Sequence, residues 1–171
     1  MNNKIKNDQN ISYAYFGAGC FWGVEYYLRK LNGVRDVLCG YMGGHTINPT
    51  YEEVCYSNSG HIEVVEVLYY KNIISYDRLC RFFFEIHDFT QKNGQGPDIG
   101  SQYLSTIFYI DDIEKRTINK IIEILKSKKY DVATNIIEKN SIEFFKAEDY
   151  HQKYYIKNNS LPYCHTIKKI F

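Results

Sequence analysis

No two of the five cysteines stand in a CxxC pair, which argues against a zinc ribbon and against a thioredoxin-type redox motif. No block of like charge is longer than the short stretch from Lys126 to Lys129, and 21 basic side chains nearly cancel 20 acidic ones. Phosphate binding needs a concentrated positive surface, so nucleic acid is not an expected partner, and the lysine stretch reads as solvated surface. No uninterrupted apolar run is long enough to cross a bilayer, so no membrane partner is expected. The segment Met1 to Asn10 is polar and carries no export signal. Five cysteines without such a signal point to a reducing, cytoplasmic setting, where a disulfide is more often catalytic than structural. There is no internal repeat and no convincing domain boundary.

What is present suits one domain. At 171 residues, with 44% apolar and 24% charged, the chain can bury a real core. The 17 tyrosines, with many Ile, Asn and Lys, read as compositional bias rather than function.

Tyr13 to Gly17 reads as a strand, broken by Gly17-Ala18-Gly19 before a helix from Cys20 to Leu31 with Phe21, Val24, Tyr27, Leu28 and Leu31 on one face. Val34 to Tyr41 is a second strand, Gly43 to Pro49 a loop, Tyr51 to Cys55 one helical turn, and Glu63 to Tyr70 the clearest strand. Tyr76 to His87 carries a helical stripe. Thr90 to Gly100 reads as a structured loop, Leu104 to Ile110 as a strand, Ile113 to Lys128 as a helix and Ala133 to Ile137 as a strand. A short helix is expected over Ala147 to Ile156, followed by a mobile polar tail from about residue 157 that carries Cys164. The pattern predicts an α+β fold, a small mixed sheet with helices on one or both faces, and leaves the strand order open.

Among the cysteines, Cys20 stands where a strand turns into a helix. A helix N-terminus lowers a thiol pKa, the small residues before it leave room for a substrate, and Phe21-Trp22 place flat apolar surface beside the sulfur. The competing reading is a buried structural cysteine at the turn. Cys39 and Cys80 fall in apolar patterns and read as packed. Cys55 follows a helical turn and reads as semi-buried. Cys164, in the tail, is the best resolving thiol available, against the plain alternative of a free tail cysteine.

Further along, Gly19-Cys20-Phe21-Trp22-Gly23-Val24-Glu25 is joined in order by Gly40-Tyr41-Met42-Gly43-Gly44, Asn48-Pro49-Thr50-Tyr51-Glu52-Glu53-Val54-Cys55 and Gly60-His61-Ile62-Glu63-Val64-Val65. Then follow His87-Asp88-Phe89-Thr90-Gln91, Gln95-Gly96, Asp98, Gly100-Ser101-Gln102-Tyr103 and Ala147-Glu148-Asp149-Tyr150-His151-Gln152. This ordered set, spanning Phe16 to about Tyr155, resembles the peptide methionine sulfoxide reductases of the A type. The resemblance implies a two-layer sandwich with a ferredoxin-like core, and a Cys20 thiolate that attacks the sulfoxide sulfur of oxidised methionine and becomes a sulfenic acid. It implies Phe21 and Trp22 around the substrate methyl group, Glu63 as the acid flanked by Tyr51 and Tyr103, and Asp98 in the same site. Without it, Glu63 would read as a solvent-facing strand residue and the two tyrosines as packing.

The resemblance also implies that Cys164, after Tyr163, forms a disulfide with Cys20 that thioredoxin or another dithiol reopens, with no cofactor and no metal. The expected substrates are S-epimer methionine sulfoxides in proteins and peptides and as the free amino acid; the expected oligomeric state is a monomer. The glycine-rich tail and second recycling cysteine of longer members are missing, which implies resolution in one step; Pro97 and Met42 are departures within loops. Two other readings stand beside this one. One is a redox sensor in which Cys164 captures an oxidised Cys20. The other is a metal site built from cysteines with His45, His61, His87 or His151, whose spacings are irregular.

Overall fold

The computed structural model describes residues 10–171. Nearly all of the polar segment read for an export signal, residues 1–9, therefore lies outside the described residues. In chain order the elements are β1 (Ile11–Gly17), α1 (Phe21–Leu28), β2 (Val34–Met42), α2 (Tyr51–Tyr56), β3 (Ile62–Tyr70), α3 (Tyr76–Glu85) and the two-residue strands β4 (Gly94–Gln95) and β5 (Asp98–Ile99). After them come β6 (Thr106–Tyr109), α4 (Asp112–Ser127), β7 (Asn135–Glu138), β8 (Phe145–Lys146) and α5 (Tyr154–Lys157).

Six strands form one sheet in the order β7-β6-β1-β3-β2-β8. Every neighbouring pair is antiparallel except β6 with β7, so the sheet is mixed, as the sequence suggested. Its four inner strands, β6-β1-β3-β2, with α1 and α3 between them in sequence, make the β-α-β-β-α-β ferredoxin-like arrangement.

Alternation along the strands decides which side chains meet the helices. Phe16, Val37, Val65, Val67 and Ile107 turn to one face, where Val24 and Leu28 of α1, Leu79 and Phe83 of α3 and Ile118, Ile121 and Leu125 of α4 cover them. The opposite face carries a smaller cluster of Tyr15, Met42, Ile62, Val64 and Phe108 under Ile142 and Phe144. Met42, a departure in sequence, is thus a buried core residue.

The helices begin where local chemistry allows. Ser75 accepts from the Arg78 N–H ahead of α3, Asp111 from the Glu114 N–H ahead of α4, and Thr50 with Glu53 forms a capping box on α2. Cys20 precedes α1 without any side-chain cap.

Two stretches differ from the sequence reading. Ala147 to Ile156 is not one helix: Asp149–His151 is a single 3-10 turn, Lys153 is left-handed at φ 56°, and only then does α5 begin. Tertiary hydrogen bonds replace the helical ones. The buried Glu25 carboxylate accepts the Lys153 N–H at 3.0 and 2.9 Å, and the Gln152 amide bonds the Cys39 backbone on both sides at 2.9 Å. The tail expected to be mobile is instead laid against the domain. His165 is buried, and the backbone N–H groups of Lys168, Ile170 and Phe171 donate to Glu85.

Candidate active site

Three residues after β1 ends, Cys20 occupies the N-cap position of α1. Gly19 turns the chain at φ 82°, and a Cβ there would collide with the Gln95 side chain, so the turn and the 88–100 loop are in direct contact. Glu63 lies across the sheet from Tyr41, on the same strand face as Val65 and Val67, and is 2% exposed. Its Oε2 accepts the Phe21 N–H at 3.0 Å, so Glu63 caps the helix that Cys20 leaves uncapped.

Asp98 comes from the loop read as structured, and Tyr103 from the 3-10 turn Ser101–Tyr103 that follows it. Gln95 fastens the loop, accepting the Asp88 N–H and donating to the Asp88 carbonyl, both at 3.0 Å. Gly96, at φ 55°, and Pro97 form the two-residue turn between β4 and β5, where proline's missing N–H needs no partner. Tyr51 opens α2, its N–H held at 3.1 Å by Glu148, which also accepts the Tyr41 hydroxyl at 3.0 Å.

The aromatic pair is held from behind. The Trp22 indole N–H donates to His151 Nδ1 at 3.0 Å, and its ring lies flat on Tyr154 at 3.6 Å and 4°. Phe21 is buried against Tyr41 and His151.

These elements enclose a pocket of about 90 Å³ lined by Cys20, Phe21, Trp22, Tyr51, Glu63, Asp98, Tyr103 and Tyr163. Water takes about 30 Å³ per molecule in the liquid, so the pocket holds about three such volumes, enough for the tip of a side chain. Of the sequence-named residues only Cys164 is off its wall; its Sγ–H donates to Asp98 Oδ2 at 3.2 Å, at the rim. Tyr163, Tyr154 and Glu148 had no assigned part in the sequence reading, and His151 was weighed only as a metal ligand; Tyr163 was legible only as the neighbour of Cys164. Cys55, one turn after Tyr51 on α2, is half-buried.

Burial pushes the Glu63 carboxyl up to about 8, the Phe21 N–H working against it and Asp98 with it. Burial, then the Glu63 charge, also pushes the Cys20 thiol above its ordinary range, with only the Trp22 N–H opposing. That corrects the expected lowering by the helix terminus: the first helical N–H is aimed at Glu63, and the desolvated sulfur outweighs what remains. Burial likewise raises Tyr51 and Tyr103, so both remain hydroxyl donors at neutral pH. The Cys164 thiol is pushed up to about 11, first by burial.

Three of the four histidines weighed for a metal have hydrogen-bond partners inside the domain, His151 through the Trp22 indole. His61 bonds the Gly44 N–H and the Thr46 carbonyl, His87 the Phe83 carbonyl and Ser105, and His45 is exposed. Among the described residues, no group of three or more His, Cys, Asp or Glu is placed to hold a metal ion, and no helix is long and apolar enough to cross a membrane.

Residues 12–170 match the family model described as peptide methionine sulfoxide reductase. The peptide methionine sulfoxide reductase MsrA of Nautilia profundicola is 50% identical over 151 residues, 88% of this chain and 86% of that protein. Mxr1 from Saccharomyces cerevisiae in reduced form superposes with a TM-score of 0.85 at 35% identity over 99% of both chains. Mxr1 in complex with Trx2 matches with a TM-score of 0.62 at 27% identity, again over 99% of both chains. The chain belongs to the peptide methionine sulfoxide reductase family and is an enzyme of methionine sulfoxide reduction.

Proposed function

We propose that this chain reduces the S epimer of methionine sulfoxide, in proteins, in peptides and as the free amino acid, with Cys20 as nucleophile and Glu63 as acid. The observation that carries this reading is the small pocket that Cys20, Glu63 and Trp22 line together. The substrate methyl group lies against Phe21 and Trp22, where sulfur and its substituents gain from aromatic contact. The sulfoxide oxygen faces Glu63, Tyr51 and Tyr103. With methyl, oxygen and lone pair fixed in one order around sulfur, only one epimer presents its sulfur to Cys20.

Glu63 keeps its proton near neutral pH because burial raises it, and Oε2 is taken by the Phe21 N–H, which leaves the other oxygen to carry that proton. As the Cys20 sulfur attacks the sulfoxide sulfur, the oxygen takes a proton from Glu63, its bond to the methionine sulfur breaks and it ends as the hydroxyl bonded to the Cys20 sulfur, while the proton given up by the thiol restores Glu63. In balance, thiol and sulfoxide become sulfenic acid and thioether. The Cys164 thiol then displaces the oxygen of the sulfenic acid as water, forming a Cys20–Cys164 disulfide. A thioredoxin-type dithiol reopens it. Support for that partner comes from the similarity to Mxr1, which has been captured with Trx2. No resident cofactor enters the cycle, and we read the working form as a cytoplasmic monomer whose catalytic domain extends over the whole chain.

Methionine formation from separate S and R epimers of a sulfoxide peptide, with dithiothreitol as reductant, tests the reading. Repeated turnover of the S epimer alone supports it. No turnover of either epimer, with Cys20 still oxidisable, replaces it with the sensor.

A further inference from the structure

The residue after Cys164 is the only buried one from Lys157 to Phe171: His165 is 1% exposed, whereas Tyr163 is 71% exposed and Thr166 lies open. Its ring enters a slot in the turn that carries Cys20. His165 Nε2–H donates to the Ala18 carbonyl at 2.6 Å, and the Tyr27 hydroxyl donates to the His165 carbonyl at 3.2 Å. The slot exists because Gly23 has no side chain, since a Cβ there would collide with His165 Nδ1. Nδ1 itself is buried with no partner, so the ring is the neutral tautomer protonated on Nε2. A purely space-filling residue would leave no nitrogen orphaned; the imidazole's return for that cost is its bond to Ala18.

Beyond His165 the tail is next fastened at Glu85, through Lys168, Ile170 and Phe171. Between these anchors it runs over a cavity of about 420 Å³ that Cys164, Thr166 and Lys168 help to line. The grip that fixes Cys164 is therefore the one made by its immediate neighbour. On its other side the Cys164 thiol rests on Asp98, which lines the Cys20 pocket.

We propose that His165 is a positioning residue for the resolving step, clipping the tail to the Ala18 carbonyl so that the Cys164 thiol waits beside Asp98 at the rim of the Cys20 pocket. This rests on the reading of Cys164 as the resolving thiol. The step itself breaks the sulfur–oxygen bond of the Cys20 sulfenic acid and forms the sulfur–sulfur bond, the hydroxyl leaving as water with the Cys164 proton. Holding one reactant close raises its effective concentration, and releasing the clip leaves Cys164 held only by its own bond to Asp98 and by the Tyr27 hydroxyl on the His165 carbonyl.

Reduced enzyme mixed with one equivalent of S-sulfoxide peptide, without reductant, separates the two steps. Methionine is followed by chromatography, disulfide by intact mass after alkylation, and sulfenic acid by dimedone trapping. His165→Ala is expected to form methionine within about twofold of the wild-type rate but disulfide at least about tenfold more slowly, with trapped sulfenic acid accumulating. His165→Gln, whose amide N–H reaches about as far as Nε2, is expected to recover most of the disulfide rate. Gly23→Ala should reproduce the defect by expelling the ring, and should add nothing to His165→Ala. Disulfide formation at the wild-type rate in His165→Ala, while Cys164→Ser forms none, overturns the proposal alone. An equal fall in both steps also overturns it, because the ring would then merely support the Cys20 turn. An intramolecular disulfide that persists in Cys164→Ser removes the resolving reading and the proposal with it.

Discussion

The backbone N–H of Phe21 donates to Glu63 Oε2 at 3.0 Å, so the carboxyl that borders the Cys20 pocket also caps the helix that Cys20 begins. One buried group thus links the fold of the turn to the proton inventory of the pocket, and its removal should act on stability and rate in opposite directions.

Glu63→Gln preserves an oxygen for the Phe21 N–H but has no proton to lose. The first methionine should form about 10²- to 10⁴-fold more slowly, the usual contribution of a general acid. Rapid-quench measurement of one turnover checks this, and a rate within a few-fold of wild type removes Glu63 as the acid.

The same substitution should stabilise the folded chain. The Glu63 carboxyl is raised from 4.5 to about 8, so between those pH values the folded state retains a proton the unfolded state has lost. Stability falls as pH rises through that window, and the loss is complete above it. Thermal unfolding of Glu63→Gln and wild type should coincide near pH 4 and diverge by a few kcal/mol, roughly 1.4 per pH unit, toward pH 8.

Wild-type single-turnover rate should decline above about pH 8 as Glu63 ionises, since its raised carboxyl then lacks the proton that the leaving oxygen needs. The profile of Glu63→Gln should show no such step. An unchanged step in that variant would assign the titration to another group.

The order of the strands was not legible in sequence, because periodicity marks faces and not neighbours. Glu63 shows the same limit at one residue: it alternates in register with Val65 and Val67, which the helices cover, and only the antiparallel pairing of β3 between β1 and β2 makes that face interior. The strand-to-helix turn that holds Cys20, by contrast, could be read directly, since the glycines before it and the apolar helix after it are local signals. The helix read over Ala147 to Ile156 failed for the opposite reason: its breaking points are set by Glu25 and the Cys39 backbone, more than 100 residues earlier.

That distant contact is testable. Glu25, 1% exposed, accepts from Arg29 at 3.1 Å and from the N–H of left-handed Lys153. Glu25→Ala takes the acceptor from the buried Lys153 N–H, while Arg29 keeps Asp36 at 2.7 Å, and should destabilise the chain by about 1–3 kcal/mol in urea unfolding, the cost of leaving a buried donor unpaired. A change below 0.5 kcal/mol, the usual size for an exposed site, would show that the 147–157 segment holds its shape without that carboxylate.

Cys164→Ser should still yield methionine in a first turnover, while turnover supported by thioredoxin falls at least about tenfold for want of a disulfide to reopen. Unimpaired thioredoxin turnover would move the resolving role to another thiol, and half-buried Cys55 beside Tyr51 is the next to test.

Most direct of all is the methionine produced per chain from an S-sulfoxide peptide by reduced wild type and by Cys20→Ser, without added reductant. Cys20 as the nucleophile requires one methionine per wild-type chain and none from Cys20→Ser; methionine from Cys20→Ser at the wild-type level would contradict that role.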